Sequence, residues 1–363
     1  MATRQADNIT MAGGGTYSLA TRGAKDVIDR ATPRVLAAVE AMQLPSSLSR
    51  FAMADMGCAD GGTSLDMVAA VLSRVQSVAP DVQSTVTYAD QPRNDFNALV
   101  QIAEGLGPFE SWARSFERAW PLVSGASFYT QAVPDDSLDL VFSATAMHWL
   151  SGKPCDIADH VHMVGAAPTE LRVFAEQAAS DWICIVQHRS RELKPGGRAV
   201  FANFCRDPNG HYLGNTTGVN MFDTLAEIWR EFVADGVVNE HELARMTLPQ
   251  YYRTVEEFVA PFEQGDVPGL QLESIETAHV RCPYAAQFAE DGDLDVFADG
   301  LIGTIRSWNQ SIFYGGLDPE RPADERQAII DDYYQAYRSR VLDDPTGHGM
   351  DYVHAYMTVV KPA

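Results

Sequence analysis

The chain has 363 residues, of which 46% are hydrophobic and 21% charged, a composition that indicates a globular protein with a sizeable core. Its formal net charge of -22 repels phosphate backbones, so we expect no nucleic-acid partner, and an anionic ligand would need its own donors inside the protein. Its five cysteines never occur in a CxxC spacing, which argues against a disulfide framework or a zinc site.

The location of the protein is predicted from what the sequence lacks. The first residues contain no apolar run of the kind found in signal peptides, and no stretch approaches 18 uninterrupted apolar residues. We therefore expect a cytoplasmic protein that does not span or bind a membrane. No local cluster of ligand residues stands out, so no metal site is predicted.

The first predicted elements follow a polar, glycine-rich segment over 1–30, which composition alone would make a floppy tail. "TPRVLAAVEAMQL" predicts a helix with Thr32 as its N-cap and Pro33 at its first position. "RFAMADMG" predicts a buried strand. "TSLDMVAAVLSRVQSV" predicts a second helix, with Thr63 or Ser64 placed to cap it.

The next elements continue the alternation of strand and helix. "STVTYAD", "ASFYTQAV", "LDLVFSAT" and "RAVFANFC" predict strands, whereas "RNDFNALVQIAEGL" and the long run "TELRVFAEQAASDWICIVQHRSREL" predict helices. This pattern extends to about residue 205 and predicts an α/β fold with a doubly wound parallel sheet.

Beyond residue 205 the pattern becomes mostly helical, interrupted by the predicted strands "LQLESIETAHV" and "YVHAYMTVVK". We interpret the helices as a cap inserted into the core, whose sheet the two late strands complete. The predicted division is core 31–210, helical cap 211–268, core strand 269–283, helical cap 284–348 and final core strand 349–363.

The turn after the first strand, "MGCADGGTS", suggests a cofactor site. Gly57, Ala59 and Gly62 approximate a dinucleotide fingerprint, so a nicotinamide-dependent oxidoreductase is one interpretation. Asp55 argues against it, because a carboxylate at this turn repels a pyrophosphate but suits the ammonium and sulfonium of S-adenosylmethionine.

Asp90 ends the second predicted strand, where an acid can accept hydrogen bonds from ribose hydroxyls. It lies 33 residues after Gly57, farther than the spacing of about 20 that is typical of dinucleotide folds. Asp55 and Asp90 could each be an ordinary turn or capping residue. Their occurrence at successive strand ends favours a site, because α/β folds bind ligands in such crevices.

Four short motifs then identify a family. "NDFN" (94–97), "SFYT" (127–130), "MHWLS" (147–151) and "PQY" (249–251) occur in the order and spacing of the SABATH methyltransferases, and the chain resembles that family over nearly its whole length. The family includes salicylate, benzoate, jasmonate and indole-acetate carboxyl methyltransferases and xanthine N-methyltransferases. The divergence is typical of a microbial rather than a plant member.

The resemblance implies a class I methyltransferase (Rossmann-like) core with an α-helical cap, and S-adenosylmethionine as cofactor. The tail over 1–30 then becomes an active-site lid. The implied cofactor-binding residues are Tyr17, Thr21, Asp55, Gly57, Asp90, Ser127, Phe128 and Ser143.

Methyl transfer to a carboxylate needs no general base, because the acceptor is already ionised at neutral pH. The resemblance makes Trp149 the indole donor to the substrate carboxylate and gives His148 an adjacent catalytic position; both could otherwise be packing residues. Ala24 stands where relatives place a glutamine as second carboxylate donor. Arg22, Lys25 and His148 are the candidates to replace that donor.

The predicted function is therefore O-methylation of a small, planar or aromatic carboxylic acid. The predicted substrate-binding residues are Tyr17, Ala24, Met147, His148, Trp149, Met221, Phe222, Tyr251, Trp308 and Tyr352. Alternatives are an N-methyltransferase acting on a small heterocycle, a nicotinamide-dependent oxidoreductase, and a binding protein without activity. Relatives are often homodimers, so a homodimer is expected.

Overall fold

The computed structural model describes Gly15 and residues 17–363. Its strands are β1 (Arg50–Met56), β2 (Gln83–Ala89), β3 (Ala119–Ser124), β4 (Leu138–Ala144), β5 (Leu193–Phe204), β6 (Gln271–Val280) and β7 (Tyr352–Val360). They form a single seven-stranded sheet in the order β3-β2-β1-β4-β5-β7-β6. The first five strands pair in parallel, and β7 runs antiparallel to both β5 and β6.

Helices cover both faces of this sheet. Their bounds are α1 (Tyr17–Ala20), α2 (Arg22–Ala41), α3 (Leu65–Val78), α4 (Phe96–Ala103), α5 (Pro168–Glu192), α6 (Met221–Ala234), α7 (Glu240–Arg245), α8 (Val255–Glu263), α9 (Pro283–Asp291), α10 (Leu294–Gly316) and α11 (Ala323–Asp343). In β1, Phe51 and Met53 join the core cluster that contains α2 and α3, whereas Ala54 and Met56 join the cluster of α5 on the other face. Side chains that alternate between two buried faces are typical of a doubly wound sheet. The α/β class is thus confirmed.

The segment between β5 and β7 is largely helical. Within it, Trp229 of α6 stacks on Tyr333 of α11 with ring centroids 4.1 Å apart, and α10 packs along α11. Strand β6 interrupts these helices and returns to the sheet beside β7. The elements fall in the chain segments expected of a core and a cap, while the exact unit boundaries stay predictions. None of the helices in the described residues is both long and apolar enough for a membrane span.

The predicted start of the helix over 32–44 was wrong. Thr32 is not an N-cap, because α2 begins at Arg22 and contains Pro33 in its interior. The Thr32 hydroxyl donates to the Ile28 carbonyl at 2.9 Å, a bond within the helix. The apolar positions Val27, Ile28 and Ala31 are buried against the core, and this burial outweighs the hydrogen bond that the proline removes.

The third strand also differs from the prediction. "ASFYTQAV" forms turns and irregular backbone, and β3 is instead the preceding run "AWPLVS". This run contains a proline and lies at the outer edge of the sheet, where a missing backbone N–H is tolerated. Neither Thr63 nor Ser64 caps α3 with its side chain; the Ser64 hydroxyl donates to Asp55 at 2.6 Å instead.

Candidate active site

One large cavity lies at the carboxyl ends of β1, β2 and β4, between the glycine-rich turn and the helical segment. It brings together most of the residues that the sequence predicted for a site. Those in its lining are Tyr17, Thr21, Ala24, Asp55, Gly57, Asp90, Ser127, Phe128, His148, Trp149, Trp308 and Tyr352. Residues 1–14 and 16 of the predicted lid lie outside the described residues.

The glycine-rich turn approaches the cavity with bare backbone. Gly57 has φ +77°, and a Cβ at this position would lie 2.4 Å from the Cβ of Ala146. Ala59 also has a positive φ, of 49°, and its N–H donates to Asp90 Oδ2 at 2.7 Å. Asp90 Oδ1 accepts from the N–H of Gln91 at 2.7 Å. Asp90 therefore both orders the turn and faces the cavity, so the capping and ligand-binding interpretations are compatible.

The two carboxyl groups at this end of the cavity have raised pKa values. Burial raises the pKa of Asp55 to about 7; the Ser64 hydrogen bond opposes the shift and the charge of Asp90 adds to it. Burial likewise raises the pKa of Asp90 to about 6, against the hydrogen bonds from Ala59 and Gln91. A cationic ligand beside this pair would favour the ionised carboxylates, which the cavity alone disfavours.

Helix α1 lies against the glycine-rich turn and contributes to the wall of the cavity. The Ser18 N–H donates to Asp60 Oδ2 at 3.0 Å, and the Ser18 hydroxyl donates to Asp60 Oδ1. On the other side, the hydroxyl of Thr304 in α10 donates to the Ala20 carbonyl at 2.6 Å. These contacts hold Tyr17 and Thr21 in the lining.

The Tyr17 hydroxyl meets a residue that sequence reasoning missed. It hydrogen-bonds with Thr145, and burial raises the pKa of Tyr17 to about 12, so the phenol stays protonated. Thr145 follows β4 with φ +53°, an uncommon conformation for a β-branched residue. Backbone strain of this kind concentrates at binding sites, where the surrounding structure maintains it.

The turn that carries Ser127 and Phe128 is supported by a buried ion pair. Arg189 and Glu192 of α5 are both fully buried and bond at 2.7 Å. Arg189 also donates to the Phe128 carbonyl at 3.0 Å, and Glu192 accepts from the Ala132 N–H at 2.6 Å. The pair thereby fixes the turn against the sheet. The sequence shows that Arg189 and Glu192 are spaced to pair on one helix, but it does not show that they bind the backbone of Phe128 and Ala132.

The motifs "MHWL" and "PQY" meet in space. Trp149 and Gln250 form an antiparallel bridge, the Leu150 N–H donates to the Pro249 carbonyl at 2.8 Å, and the Tyr251 N–H donates to the His148 carbonyl at 2.9 Å. Arg253, itself buried, donates to the Met147 carbonyl at 2.9 Å. The strand-like pairing makes successive side chains alternate, which decides which of them reach the cavity.

That alternation moves the predicted tyrosine away from the cavity and two neighbours into it. Gln250 and Tyr252 line the cavity, whereas the Tyr251 hydroxyl donates to Glu257 at 2.7 Å outside it. The Tyr252 hydroxyl donates to Gln250 Oε1 at 3.3 Å. This contact uses one lone pair of the amide oxygen, and the Gln250 side chain also hydrogen-bonds with His162. The amide N–H groups are the donors that Gln250 can offer to a ligand.

His148 is buried next to Trp149, with ring centroids 5.4 Å apart. Burial lowers the pKa of His148 well below its usual value, and His354 and Arg253 lower it further. The imidazole is therefore neutral at physiological pH and supplies no positive charge to the cavity.

The two basic candidates for the missing donor have other partners. Arg22 donates to Gln287 at 3.0 Å, and Lys25 pairs with Asp29 and Asp66 at 2.8 and 2.9 Å. Neither residue lines the cavity, whereas Ala24 does.

Four further predicted residues are not part of the lining either. The Ser143 hydroxyl donates to the Met56 carbonyl at 2.7 Å and links β4 to β1. Met147 packs in the cluster of α5. Phe222 stacks on His162 at 3.9 Å, and Met221 is buried in the core beside it. Sequence periodicity could not separate such packing residues from cavity residues.

The chain is similar to known carboxyl methyltransferases. Residues 6–314 match the profile of a family described as SAM dependent carboxyl methyltransferase. Loganic acid O-methyltransferase from Catharanthus roseus is 28% identical over 271 residues, which cover 69% of this chain and 70% of the relative. Salicylate carboxymethyltransferase from Clarkia breweri is 25% identical over 370 residues and 96% of each chain.

The fold recurs in a solved structure of loganic acid methyltransferase with SAH. The two structures superpose with a TM-score of 0.78 at 21% identity, covering 97% of this chain and 99% of the other. This likeness extends over the sheet and the helical segment together, so the class I methyltransferase fold with its helical insertion is shared over the full length.

Proposed function

The chain belongs to the family of S-adenosylmethionine-dependent carboxyl methyltransferases, and from that premise we propose how its cavity methylates a small carboxylic acid. The observation that supports the proposal is the arrangement of one cavity: two buried acids and a bare glycine turn at one end, an indole and an amide at the other. The first end suits a cationic cofactor and the second an anionic acceptor.

The residues at the first end fit S-adenosylmethionine. Asp55 and Asp90, whose ionised forms the cavity alone disfavours, would accept hydrogen bonds from its ammonium and its ribose hydroxyls. Gly57 would let the ligand lie against backbone, and Ser127 and Phe128 would border the adenine. Tyr17 and Thr21 would close the site from the lid.

When bound, S-adenosylmethionine supplies an electrophilic methyl group on a sulfonium, which an acceptor carboxylate oxygen takes by in-line displacement. The protein needs no general base for this reaction, which agrees with a neutral His148. Its task is to hold the acid on axis, donate to the oxygen that does not react and exclude water. Trp149 supplies an N–H donor that cannot accept the methyl group.

Gln250 is our candidate for the second carboxylate donor, the one that Ala24 cannot provide. It lines the cavity, its main chain pairs with that of Trp149, and its side-chain oxygen accepts a hydrogen bond from Tyr252. One indole N–H and one amide N–H would then bind the carboxylate from neighbouring strand-like segments. His148 remains beside them as a neutral wall or weak donor.

The rest of this end is apolar and aromatic, with Tyr252, Trp308, Met350 and Tyr352 in the lining. Flat walls favour a planar acid. The relatives named above act on acids as different as loganic and salicylic acid, so the family supports a carboxylate acceptor rather than one particular substrate.

Mass-spectrometric screening of a carboxylic-acid library with purified protein and S-adenosylmethionine tests the proposal. We expect methyl esters of one structural class of acid, together with S-adenosylhomocysteine. Methylation of a nitrogen heterocycle and of no acid would contradict the proposal and favour the N-methyltransferase alternative.

Trp149→Phe tests the acceptor geometry, since phenylalanine keeps most of the wall but lacks the donor. Losing one hydrogen bond to a charged group removes about 1.5–3 kcal/mol, so kcat/KM for the acid should fall by roughly tenfold to a hundredfold. Affinity for S-adenosylhomocysteine and the melting temperature should change little. Wild-type efficiency in this variant would show that Trp149 is only a packing residue.

A cytoplasmic location, a homodimer and the absence of a nucleic-acid partner stay proposals. All five cysteines are free thiols, which supports a reducing compartment. Sedimentation of the purified protein at several concentrations tests the dimer.

A further inference from the structure

The loop after β5 and the strand β6 bring together three metal-ligating side chains that belong to no part of the proposed reaction. Asp207 Oδ2 lies 3.2 Å from His211 Nδ1 and 2.8 Å from His279 Nε2. All three ligand atoms lie within 4.8 Å of one another. Asp207 and His279 are separated by 72 positions, which is why sequence spacing revealed no cluster and predicted no metal.

The carboxylate is held in one orientation by the backbone. Asp207 Oδ1 accepts from the N–H groups of Asn209 and His211, both at 2.8 Å. Its other oxygen, Oδ2, therefore points at the two imidazoles. The group is an oriented anion, as expected of a metal ligand with support from its surroundings.

The two histidines provide access from solvent. The Asp207 side chain is only 4% exposed, whereas His211 and His279 are 41% and 39% exposed. Because an ionised carboxylate only accepts, Nδ1 of His211 and Nε2 of His279 carry the protons in the ion-free cluster. A bound ion would displace these protons or shift each to the other ring nitrogen, which frees the two nitrogens as lone-pair donors. An ion can thus reach the carboxylate without opening the fold.

We propose that Asp207, His211 and His279 form a binding site for a divalent transition-metal ion of the zinc type, outside the methyl-transfer site. Zinc binds imidazole and carboxylate at about 2.0–2.2 Å, so tetrahedral ligand atoms lie about 3.4 Å apart. The observed 2.8 and 3.2 Å would open by about 0.6 and 0.2 Å, and the two ring nitrogens, which lie within 4.8 Å of each other, would settle near the same separation. Two nitrogens and one oxygen favour zinc, cobalt or nickel over magnesium.

A bound ion would stabilise the loop between β5 and α6 and would take no part in methyl transfer. The loop between β5 and α6 runs past Leu213, which lines the cavity, and its Gly214 N–H donates to Asp351 just before β7. An ion shared by this loop and β6 would fix the loop to the sheet edge and thereby fix one wall of the cavity. Its loss would loosen that wall without removing any group proposed to touch the cofactor or acid.

Titration of chelator-treated, untagged protein with Zn²⁺ tests the site by calorimetry and by the melting temperature. The titration is done in about 1 M salt, where a Debye length of about 3 Å suppresses loose cation binding to the acidic surface. We expect one equivalent of Zn²⁺ to bind and the melting temperature to rise by mass action. Mg²⁺ should produce neither effect.

Variants then locate the ion. His279→Ala and Asp207→Asn should each abolish the Zn²⁺-dependent rise, since asparagine keeps the backbone contacts through Oδ1 but loses the charged ligand. His241→Ala, an exposed histidine in α7, is the matched control and should bind as wild type does. Co²⁺ bound at the site should show visible d–d bands without a thiolate charge-transfer band, because none of the three ligands is a cysteine.

Three results would overturn the proposal. The first is the absence of saturable Zn²⁺ binding to the wild type. The second is unchanged Zn²⁺ binding in both single variants, His279→Ala and Asp207→Asn. The third is a thiolate charge-transfer band with Co²⁺. The first would mean that the three side chains form only a hydrogen-bonded cluster. None of these measurements depends on the methyltransferase activity, so the two proposals fail or stand separately.

Discussion

Asp90 links the order of the glycine-rich turn to the binding of the proposed cofactor. Each of its oxygens already accepts a backbone N–H at 2.7 Å, and each keeps a lone pair for the ribose. Burial raises its pKa to about 6, so the acceptor that the ribose needs is lost when the pH falls through that value. The cofactor therefore competes with a proton for the same atoms.

We expect the affinity for S-adenosylhomocysteine to be constant well above pH 7 and to weaken as the pH falls below about 6. A ligand that binds only the ionised form loses up to about tenfold per pH unit for one proton. Asp90→Asn should weaken binding by roughly tenfold to a hundredfold, from about 1.5–3 kcal/mol of lost interaction, and should make the pH dependence less steep, leaving the part that Asp55 contributes. Calorimetry from pH 5 to 8 measures both.

Asp81→Asn, at an exposed position, is the control for this experiment and should leave the profile unchanged. An Asp90→Asn profile with the wild-type slope would assign the transition to Asp55, whose pKa burial raises to about 7.

Gln250 offers a second test at the scale of one residue. Gln250→Leu keeps the volume but removes the amide, so we expect kcat/KM for the acid to fall by about tenfold while S-adenosylhomocysteine affinity is retained. Tyr251→Phe is the matched control, because its hydroxyl bonds Glu257 outside the cavity. Equal activity of the Gln250→Leu variant and the wild type would leave the second carboxylate donor unassigned.

Only part of the cavity lining can be predicted from the sequence. Asp55, Gly57, Asp90 and Trp149 were found because turns at strand ends and a family motif mark them, and all four line the cavity. Tyr251 was chosen over Gln250 and Tyr252 because the sequence does not reveal the pairing of "MHWL" with "PQY". One step along an extended segment reverses the side chain, so the motif alone does not decide which of these neighbours lines the cavity.

At the scale of elements, the short helix α1 depends on contacts with other elements. A helix of four residues is not stable alone. Asp60 accepts both the backbone and the side-chain donor of Ser18, while α10 binds the last carbonyl of α1 through Thr304. The position of Tyr17 over the cavity follows from these contacts rather than from helix propensity.

Asp60→Ala should therefore release the lid, although Asp60 is not in the cavity lining. We expect faster amide hydrogen exchange over residues 17–20 and about tenfold weaker S-adenosylhomocysteine binding, since hydrogen bonds to a charged group are worth about 1.5–3 kcal/mol. Asp66→Ala is the control, because its pairing with Lys25 lies on the surface. Unchanged exchange together with unchanged affinity would show that α1 is held without Asp60.

Most elements of the sheet were predictable, and the exceptions have physical reasons. β1, β4 and the second half of β5 are short buried runs rich in apolar residues, and β2 is rich in β-branched residues. Their short length and the turn residues that bound them favour strands over helices. β3 contains Pro121 and alternates poorly, so its identity depends on pairing with β2. The sequence predicts too late a start for α2, because a proline is typical of the first position of a helix. Only the packing of the turns before Pro33 shows that the helix already begins at Arg22.

At the scale of the whole molecule, the net charge of -22 acts on both substrates in opposite directions. The proposed acceptor is an anion and is repelled, whereas S-adenosylmethionine carries a net positive charge and is attracted. The Debye length falls from about 30 Å at 0.01 M salt to about 8 Å at 0.15 M, which screens both effects.

Raising the salt over that range should increase kcat/KM for the acid severalfold and should raise KM for S-adenosylmethionine. Initial rates at each concentration, with the other substrate saturating, measure the two trends separately. If the acid shows no dependence on salt, the surface charge does not reach the cavity mouth, and the local donors alone govern its entry.

The position of β7 between β5 and β6 has a consequence for how the protein is made. β6 leaves the ribosome before β7, the strand it pairs with. Until β7 is made, β5 keeps an unpaired edge while the whole helical segment is synthesised. Open strand edges and late, long-range pairing slow folding and invite association between nascent chains. We therefore expect this half of the sheet, including the contact between His279 and Asp207, to form last, after β7 has been translated.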